Sequence, residues 1–194
     1  MPLTSRFTAA LVYAAELHAA QTRKVSGVPY VAHLLGVCGI VLEQGGDEDE
    51  AIGALLHDAI EDQGHGGRTR EEILTRFGPR VLEVVEGCTD TDLTPKPPWR
   101  ARKEAYIAHL PAASASTRLV SAADKLYNAR AILSDLRQVG AAVWDRFNGG
   151  RDGTLWYYRA LADAYRAAGT NPIVEELDRV VRELTRLAAQ EPAE

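Results

Sequence analysis

The sequence lacks the features of disulfide-stabilised and membrane-spanning proteins. It has only two cysteines in 194 residues, Cys38 and Cys88, which are too few for a disulfide framework and do not form a CxxC pair. Cys38 lies on an apolar helical stripe, so we interpret it as a small buried hydrophobe. No apolar run approaches the roughly 20 residues that a bilayer span requires.

The pattern at the beginning of the sequence does not predict a secretory leader. Glu16 interrupts the apolar character of the first segment, and no apolar block precedes a cleavage site. We therefore predict a first helix there and not a signal peptide. The expected compartment is the cytoplasm, and no membrane partner is expected.

Basic residues are in the minority. Lys and Arg number 22 against 27 Asp and Glu, which gives a formal net charge of −5. General nucleic-acid binding depends on clustered Lys and Arg, so we expect no nucleic-acid partner. An anionic ligand would have to be bound by local basic residues that overcome the repulsion from the protein's net negative charge. The sequence leaves the oligomeric state open.

The patterning predicts an all-α, compact multi-helix fold, because no strand pattern, internal repeat or low-complexity tract is present. The length fits one domain over residues 1–194, with a core at about 5–168 and a C-terminal helix at about 171–189. The predicted helices cover approximately residues 5–20, 29–43, 48–62, 69–77, 78–87, 99–110, 116–137, 140–147, 154–168 and 171–189.

The second predicted helix is apolar around most of its circumference, which indicates a central position. His33 interrupts this apolar character beside Val37 and Ile40. A single histidine in such a place is more often a core residue satisfied by one hydrogen bond than a ligand. His33 therefore becomes informative only in combination with other residues.

Residues 57–62 read HDAIED and concentrate carboxylates beside an imidazole. On a continuous helix, at about 100° per residue, His57, Asp58, Glu61 and Asp62 share an arc of roughly 140°. Like charges at this spacing repel each other, and a nearby cation would relieve the repulsion. Alone, the pattern is equally consistent with a solvated acidic face.

Asp124 adds a third segment to this pattern. It follows small and apolar residues in SAADKLYNAR (121–130), and a buried carboxylate requires a partner because an unpaired interior charge is very costly. Two histidines and two aspartates from three helices would supply nitrogen and oxygen ligands for one divalent ion. The predicted ligands are His33, His57, Asp58 and Asp124.

This order of residues, H…HD…D, resembles that of the HD superfamily of metal-dependent phosphohydrolases. More narrowly, the chain resembles the hydrolase domain of RelA/SpoT proteins and the small stand-alone alarmone hydrolases. The similarity covers most of residues 5–168, and because no synthetase or regulatory domain follows in this sequence we expect a stand-alone hydrolase. The matching segments are RKVSGVPYVAH (23–33), ALLHDAIED (54–62), FGPRVLEVVEGCTD (77–90) and SAADKLYNAR (121–130).

The resemblance implies an HD-domain fold and a manganese ion on the four ligands named above, although other divalent transition metals would fit. It implies catalytic roles for Glu61 and Asp62. It also implies a guanosine nucleotide substrate, with hydrolysis of the 3′-pyrophosphate of (p)ppGpp to GDP or GTP and pyrophosphate.

Substrate contacts are implied in the same way. Arg23 and Lys24 match residues at the guanine and ribose end of the pocket, and Asn128 matches a ligand-contacting asparagine. Lys96 matches a basic residue near the phosphates. The family usually has proline where this chain has Leu34, a change that removes no ligand. The segment 140–170 matches only loosely.

Three other functions remain open at this point. The chain could be an HD-type phosphohydrolase of another nucleotide, such as NADPH or a dNTP. It could be a non-catalytic module that binds an alarmone, or a helical adaptor whose acidic face is solvated. Product identity separates the hydrolases from each other, and stoichiometric metal separates them from the adaptor.

Overall fold

The structure is a computed structural model, and it describes residues 2–23, 27–93 and 95–190. The described residues form helices, with no strand other than one isolated bridge between Thr22 and Pro29. The predicted all-α class is therefore confirmed. The α-helices are α1 (Ser5–Leu17), α2 (Val31–Glu43), α3 (Glu48–Leu56), α4 (Ala59–Gln63), α5 (Arg68–Phe77), α6 (Pro79–Cys88), α7 (Trp99–His109), α8 (Ala115–Val139), α9 (Gly150–Ala168) and α10 (Pro172–Ala188).

The chain divides into two compact units. The first contains the described residues up to Lys96 together with Ala113–Asp124, and the second contains Pro97–Ala112 and the described residues from Lys125 onwards. The prediction of one domain over residues 1–194 stays a prediction. Among the described residues, no helix is both long enough and apolar enough to cross a membrane.

In the first unit, α3 packs against α1, α2 and α6. Its start is defined by a capping box: Glu50 N donates to Asp47 Oδ1 at 3.0 Å, and Asp47 N donates to Glu50 Oε2 at 2.8 Å. Residues 51–56 are all buried, whereas Leu35 on α2 is 47% exposed. The central helix is therefore α3, and the prediction that α2 holds this position is wrong.

The contact between α3 and α6 is close because α3 has glycine at position 53. A Cβ at Gly53 would lie 2.7 Å from Val84 Cγ1. We therefore expect Gly53→Ala to overpack the core and lower the free energy of unfolding by about 1–3 kcal/mol. Urea denaturation of the purified variant measures the difference.

Gly39→Ala on α2 is the matched control, because a Cβ there would meet nothing within 4 Å. This control should gain about 0.5–1 kcal/mol from the better helix propensity of alanine. Equal stability of the two variants would contradict the close α3–α6 contact.

The second unit is built from α7, the remainder of α8, α9 and α10. The helix α10 begins at Pro172, where Asn171 Oδ1 accepts from Val174 N at 2.9 Å, close to the predicted start. The core of the second unit includes Leu161 and Tyr165 of α9 together with Leu177 of α10. The predicted helix at 140–147 is instead a 3-10 segment, Gly140–Arg146.

An aromatic cluster occupies the start of α9. The Trp99 ring lies against Gly149, where a Cβ would be 2.6 Å from the ring. The Arg100 guanidinium lies 3.2 Å above the centroid of Trp156, and Tyr157 and Tyr158 are buried. Most aromatic side chains of this segment therefore pack, as predicted.

Candidate metal centre and active site

Four side chains of the first unit lie close together: ligand atoms of His33, His57 and Asp58 all lie within 4.8 Å of one another, and Asp124 lies beside both histidines. His33 comes from α2, His57 and Asp58 from the junction of α3 and α4, and Asp124 from α8. The two histidine Nε2 atoms are 3.2 Å apart. Asp58 Oδ2 lies 3.4 Å from His33 Nε2 and 3.0 Å from His57 Nε2, and Asp124 Oδ1 lies 3.3 and 3.6 Å from the same two atoms. The residues that the sequence nominates as ligands are thus brought together.

The junction between α3 and α4 corrects one prediction. A continuous helix over 48–62 is wrong, because α3 ends at Leu56 and α4 begins at Ala59. Asp58 has φ −98° and ψ −1°, in the bridge region of backbone space. Adjacent residues on a regular helix do not face each other. The break therefore allows the His57 imidazole and the Asp58 carboxylate to turn toward one point.

The donor set fits a divalent metal ion. His57 Nδ1 lies 2.8 Å from the Ala54 carbonyl oxygen, which can only accept, so Nδ1 carries a hydrogen, and loss of the Nε2 proton would leave the Nε2 lone pair directed at the cluster. Nitrogen and oxygen ligands at 2.0–2.2 Å from an ion and about 90° apart are about 3 Å from each other. The observed separations of 3.0–3.6 Å match this arrangement.

Burial and charge act against each other in this cluster. Burial alone would lower the pKa of the His57 imidazole, but the charge of Asp58 and the hydrogen bonds to Asp124 and Asp58 hold that pKa well above its ordinary value. Burial would likewise raise the pKa of Asp58, but the histidines hold it well below its ordinary value. The cluster therefore attracts positive charge to its centre.

Tyr30 supports the cluster from one side. Its hydroxyl donates to Asp58 Oδ2 at 2.6 Å, and its ring meets the His33 ring edge-on at a centroid distance of 5.4 Å. Burial and the neighbouring Asp58 charge raise the pKa of Tyr30, so the hydroxyl keeps its proton and remains a donor. Such a contact fixes the direction of a ligating carboxylate.

We expect Tyr30→Phe to weaken metal binding by about 10–100-fold, because the Asp58 carboxylate loses the donor that orients it. Titration of the purified variant with Mn²⁺ gives the dissociation constant. Tyr13→Phe is the matched control, since Tyr13 is a buried tyrosine of α1 whose ring packs against Phe77 on α5. A Tyr30→Phe variant that binds Mn²⁺ as tightly as the wild type would refute the supporting role.

Glu61, one of the two predicted catalytic carboxylates, is held by two donors. Lys96 Nζ lies 2.8 Å from Glu61 Oε1, and Asp90 N donates to Glu61 Oε2 at 3.2 Å. Both partners come from the segment that follows α6. Lys96 is thus placed beside Glu61, and its ammonium group brings a local positive charge to an acidic protein.

Asp62, the second predicted catalytic carboxylate, has a different neighbour. Gln21 Nε2 donates to Asp62 Oδ2 at 2.6 Å. Although the residue is exposed as a whole, desolvation of its carboxyl group and the charges of Asp58 and Glu61 raise its pKa, while the Gln21 hydrogen bond acts in the opposite direction. Asp62 is therefore a better proton acceptor than an ordinary surface aspartate.

The remaining predicted substrate contacts lie in three places. Arg23 lies in the segment after α1, where Arg23 N donates to the Val28 carbonyl oxygen at 2.9 Å. Lys24 lies outside the described residues. Asn128 lies on α8, four residues after Asp124, and belongs to the second unit. The substrate-binding roles of all three stay predictions.

Sequence reasoning missed two residues that contact the cluster or its neighbours, Tyr30 and Gln21. Tyr30 precedes His33 by three residues and so lies on the same side of the chain, a spacing that could have indicated it. Gln21 lies after the end of α1, outside any periodic segment. Nothing in the local pattern distinguishes it from other loop glutamines.

Comparison with known proteins identifies one family. Residues 10–155 match the HD domain family. The guanosine-3′,5′-bis(diphosphate) 3′-pyrophosphohydrolase MESH1 of Xenopus tropicalis is 36% identical over 167 residues, covering 84% of this chain and 85% of that protein. The human protein of the same name is 38% identical over 168 residues, covering 84% of this chain and 86% of its own length.

Solved structures agree with these matches. A metazoan ortholog of SpoT, described as hydrolysing ppGpp and acting in starvation responses, superposes with a TM-score of 0.77 at 29% identity, covering 97% of this chain and 99% of that one. A Listeria monocytogenes protein superposes with a TM-score of 0.68 at 26% identity, covering 82% and 99%. The expected HD-domain fold is therefore confirmed.

Proposed function

The chain belongs to the HD domain family, and we propose that it is a metal-dependent hydrolase that removes the 3′-pyrophosphate of ppGpp or pppGpp to give GDP or GTP and pyrophosphate. The observation that carries this proposal is the convergence of His33, His57, Asp58 and Asp124, with Glu61 and Asp62 following within one turn. The MESH1 proteins and the metazoan ortholog of SpoT named above hydrolyse the same class of nucleotide. The proposed compartment is the cytoplasm.

The four converging side chains are the proposed ligands, and Mn²⁺ is the proposed ion. A set of two imidazoles and two carboxylates suits Mn²⁺, although Fe²⁺, Co²⁺ and Zn²⁺ accept the same donors. A divalent ion at such a site acts as a Lewis acid toward phosphoryl oxygens and makes water a stronger nucleophile.

The two carboxylates after Asp58 have different proposed roles. In the hydrolysis, a water oxygen forms a bond to phosphorus and gives up a proton, while the bond to the 3′ oxygen breaks and that oxygen takes up a proton to become the 3′ hydroxyl of GDP or GTP. Asp62 is the proposed acceptor of that proton, because a neutral amide holds it and its pKa is raised. Glu61 is paired with Lys96, so its proposed role is to hold the water and the lysine in place.

Positive charge for the substrate comes from a small number of side chains. Lys96 is half exposed beside Glu61 and is the proposed phosphate contact. Arg23 and Lys24 are the proposed contacts to guanine and ribose, and Asn128 is a further proposed contact. Such local charges are needed because the chain carries a net charge of −5 and the substrate is strongly anionic.

Product identity tests the proposal. Purified chain loaded with Mn²⁺ and given ppGpp should release GDP and pyrophosphate in equal amounts, resolved by anion-exchange chromatography. NADPH and a dNTP serve as parallel substrates. Chain that leaves ppGpp intact, or that releases single phosphate from one of the parallel substrates only, would show that the proposed activity is wrong.

A further inference from the structure

Gln21 connects a buried histidine to a proposed catalytic carboxylate. Its side-chain oxygen lies 2.6 Å from His18 Nδ1 and accepts from Gln63 Nε2 at 3.1 Å. Its side-chain nitrogen donates to Asp62 Oδ2 at 2.6 Å. The Gln21 amide is therefore engaged on both sides, with Asp62 at one end.

These partners leave the amide one orientation. An ionised carboxylate only accepts hydrogen bonds, so the NH₂ group of Gln21 must face Asp62. The oxygen of the same amide then faces His18, and His18 Nδ1 must carry the hydrogen of that contact. A reversed amide would place oxygen against oxygen at Asp62. His18 and Gln63 together thus fix which group Gln21 presents to Asp62.

The surroundings also hold this arrangement in place. His18 is only 2% exposed, and its ring stacks on the Tyr30 ring at a centroid distance of 5.3 Å and an interplanar angle of 23°. The backbone of Gln21 is anchored as well, because its carbonyl oxygen accepts from Tyr30 N at 2.9 Å. Tyr30 in turn donates to Asp58 Oδ2. Gln21 and the proposed metal ligand Asp58 are therefore held by the same tyrosine.

We propose that Gln21 is a positioning residue for the hydrolysis, which holds Asp62 in the direction required for proton transfer and is itself held by His18 and Gln63. This inference rests on the proposed function, because it assigns Gln21 a part in that reaction. An exposed aspartate otherwise rotates among several side-chain conformations. A single donor on Oδ2 selects one orientation of the carboxylate. Correct orientation lowers the energy of the transition state more than it strengthens substrate binding, so it raises kcat.

The test is a kinetic comparison with Gln21→Met, which keeps the length of the side chain and removes the amide. We expect kcat for ppGpp to fall by about 10–100-fold, as for other residues that orient a reacting group, with KM and the thermal unfolding midpoint nearly unchanged. Gln44→Met, an exposed glutamine that follows α2, is the matched control and should keep wild-type kcat. If Gln21→Met lowers the unfolding midpoint, Gln21→Asn replaces it, since the shorter amide cannot contact Asp62 and His18 together.

A double-mutant cycle with Asp62→Asn distinguishes two roles of Gln21. Gln21 either orients the Asp62 carboxylate or only connects the end of α1 to α4. If Gln21 acts through Asp62, then adding Gln21→Met to Asp62→Asn causes no further loss of kcat. Full additivity of the two losses, or an unchanged kcat in Gln21→Met, would overturn the inference while the wild type still turns over ppGpp. A wild-type chain without turnover would overturn the proposed function itself, and the inference with it.

Discussion

Asp124→Asn is expected to lose the bound metal and to lower ppGpp turnover by about 10³-fold, because a metal ion contributes several kcal/mol to such a reaction and each 1.36 kcal/mol is a factor of ten. Asp124 Oδ1 lies 3.3 Å from His33 Nε2 and 3.6 Å from His57 Nε2. The amide keeps the shape of the side chain but removes one of the two carboxylate charges that stabilise a divalent ion in a buried place.

Elemental analysis after dialysis measures the first half of this prediction, and steady-state kinetics with saturating Mn²⁺ measures the second. Asp163→Asn on α9 is a matched control, since this aspartate is exposed and pairs only with Arg166 among its described ion pairs. The control should retain one ion per chain and wild-type turnover. Equimolar metal and full activity in Asp124→Asn would refute the four-ligand centre, whereas a wild-type chain without stoichiometric metal would favour the solvated acidic face.

The close approach of the four proposed ligands was predictable from the sequence for a physical reason. A histidine inside an apolar helix and an aspartate after a run of small residues are both costly in a protein interior without partners. His33 is 1% exposed and Asp124 is 5% exposed, so each needs the partner that the other helices provide. The resemblance to a known family then supplied the order in which the segments combine.

The break at Asp58 could not be predicted in the same way. Helical periodicity runs without interruption through HDAIED, and no proline or glycine marks a boundary there. The backbone at Asp58 adopts a bridge-region conformation, and its carboxylate meets Tyr30, His33 and His57, which lie elsewhere in the chain or on the other side of the break. Contacts distant in sequence therefore decide a local conformation that propensity alone assigns to a continuous helix.

The prediction of a central position for α2 was wrong for a related reason. Apolar residues around most of α2 indicated a central helix, but burial depends on which neighbours are present, and Leu35 is 47% exposed. The acidic first turn of α3 is typical of an exposed helix, although residues 51–56 that follow it are all buried. Gly53 permits the close approach of Val84, but a glycine does not indicate a close helix contact until the neighbouring helix is known.

The second large effect is expected at Asp62. Asp62→Asn should lower kcat by about 10²–10⁴-fold, the usual contribution of a general base, while KM and bound metal stay near wild-type values. Glu61→Gln should cost less, because Glu61 is already paired with Lys96 at 2.8 Å and with Asp90 N at 3.2 Å. The ranking of the two variants reports which carboxylate accepts the proton.

Kinetics and equilibrium binding together measure this prediction. Binding of ppGpp to the Mn²⁺-loaded Asp62→Asn variant, followed by calorimetry, should remain intact while turnover is lost, which also distinguishes an enzyme from a module that only sequesters the nucleotide. A larger loss in Glu61→Gln than in Asp62→Asn would reverse the assigned roles. Unchanged kcat in both variants would show that neither carboxylate takes part, and the proton of the attacking water would then have to go to a group outside the α3–α4 segment.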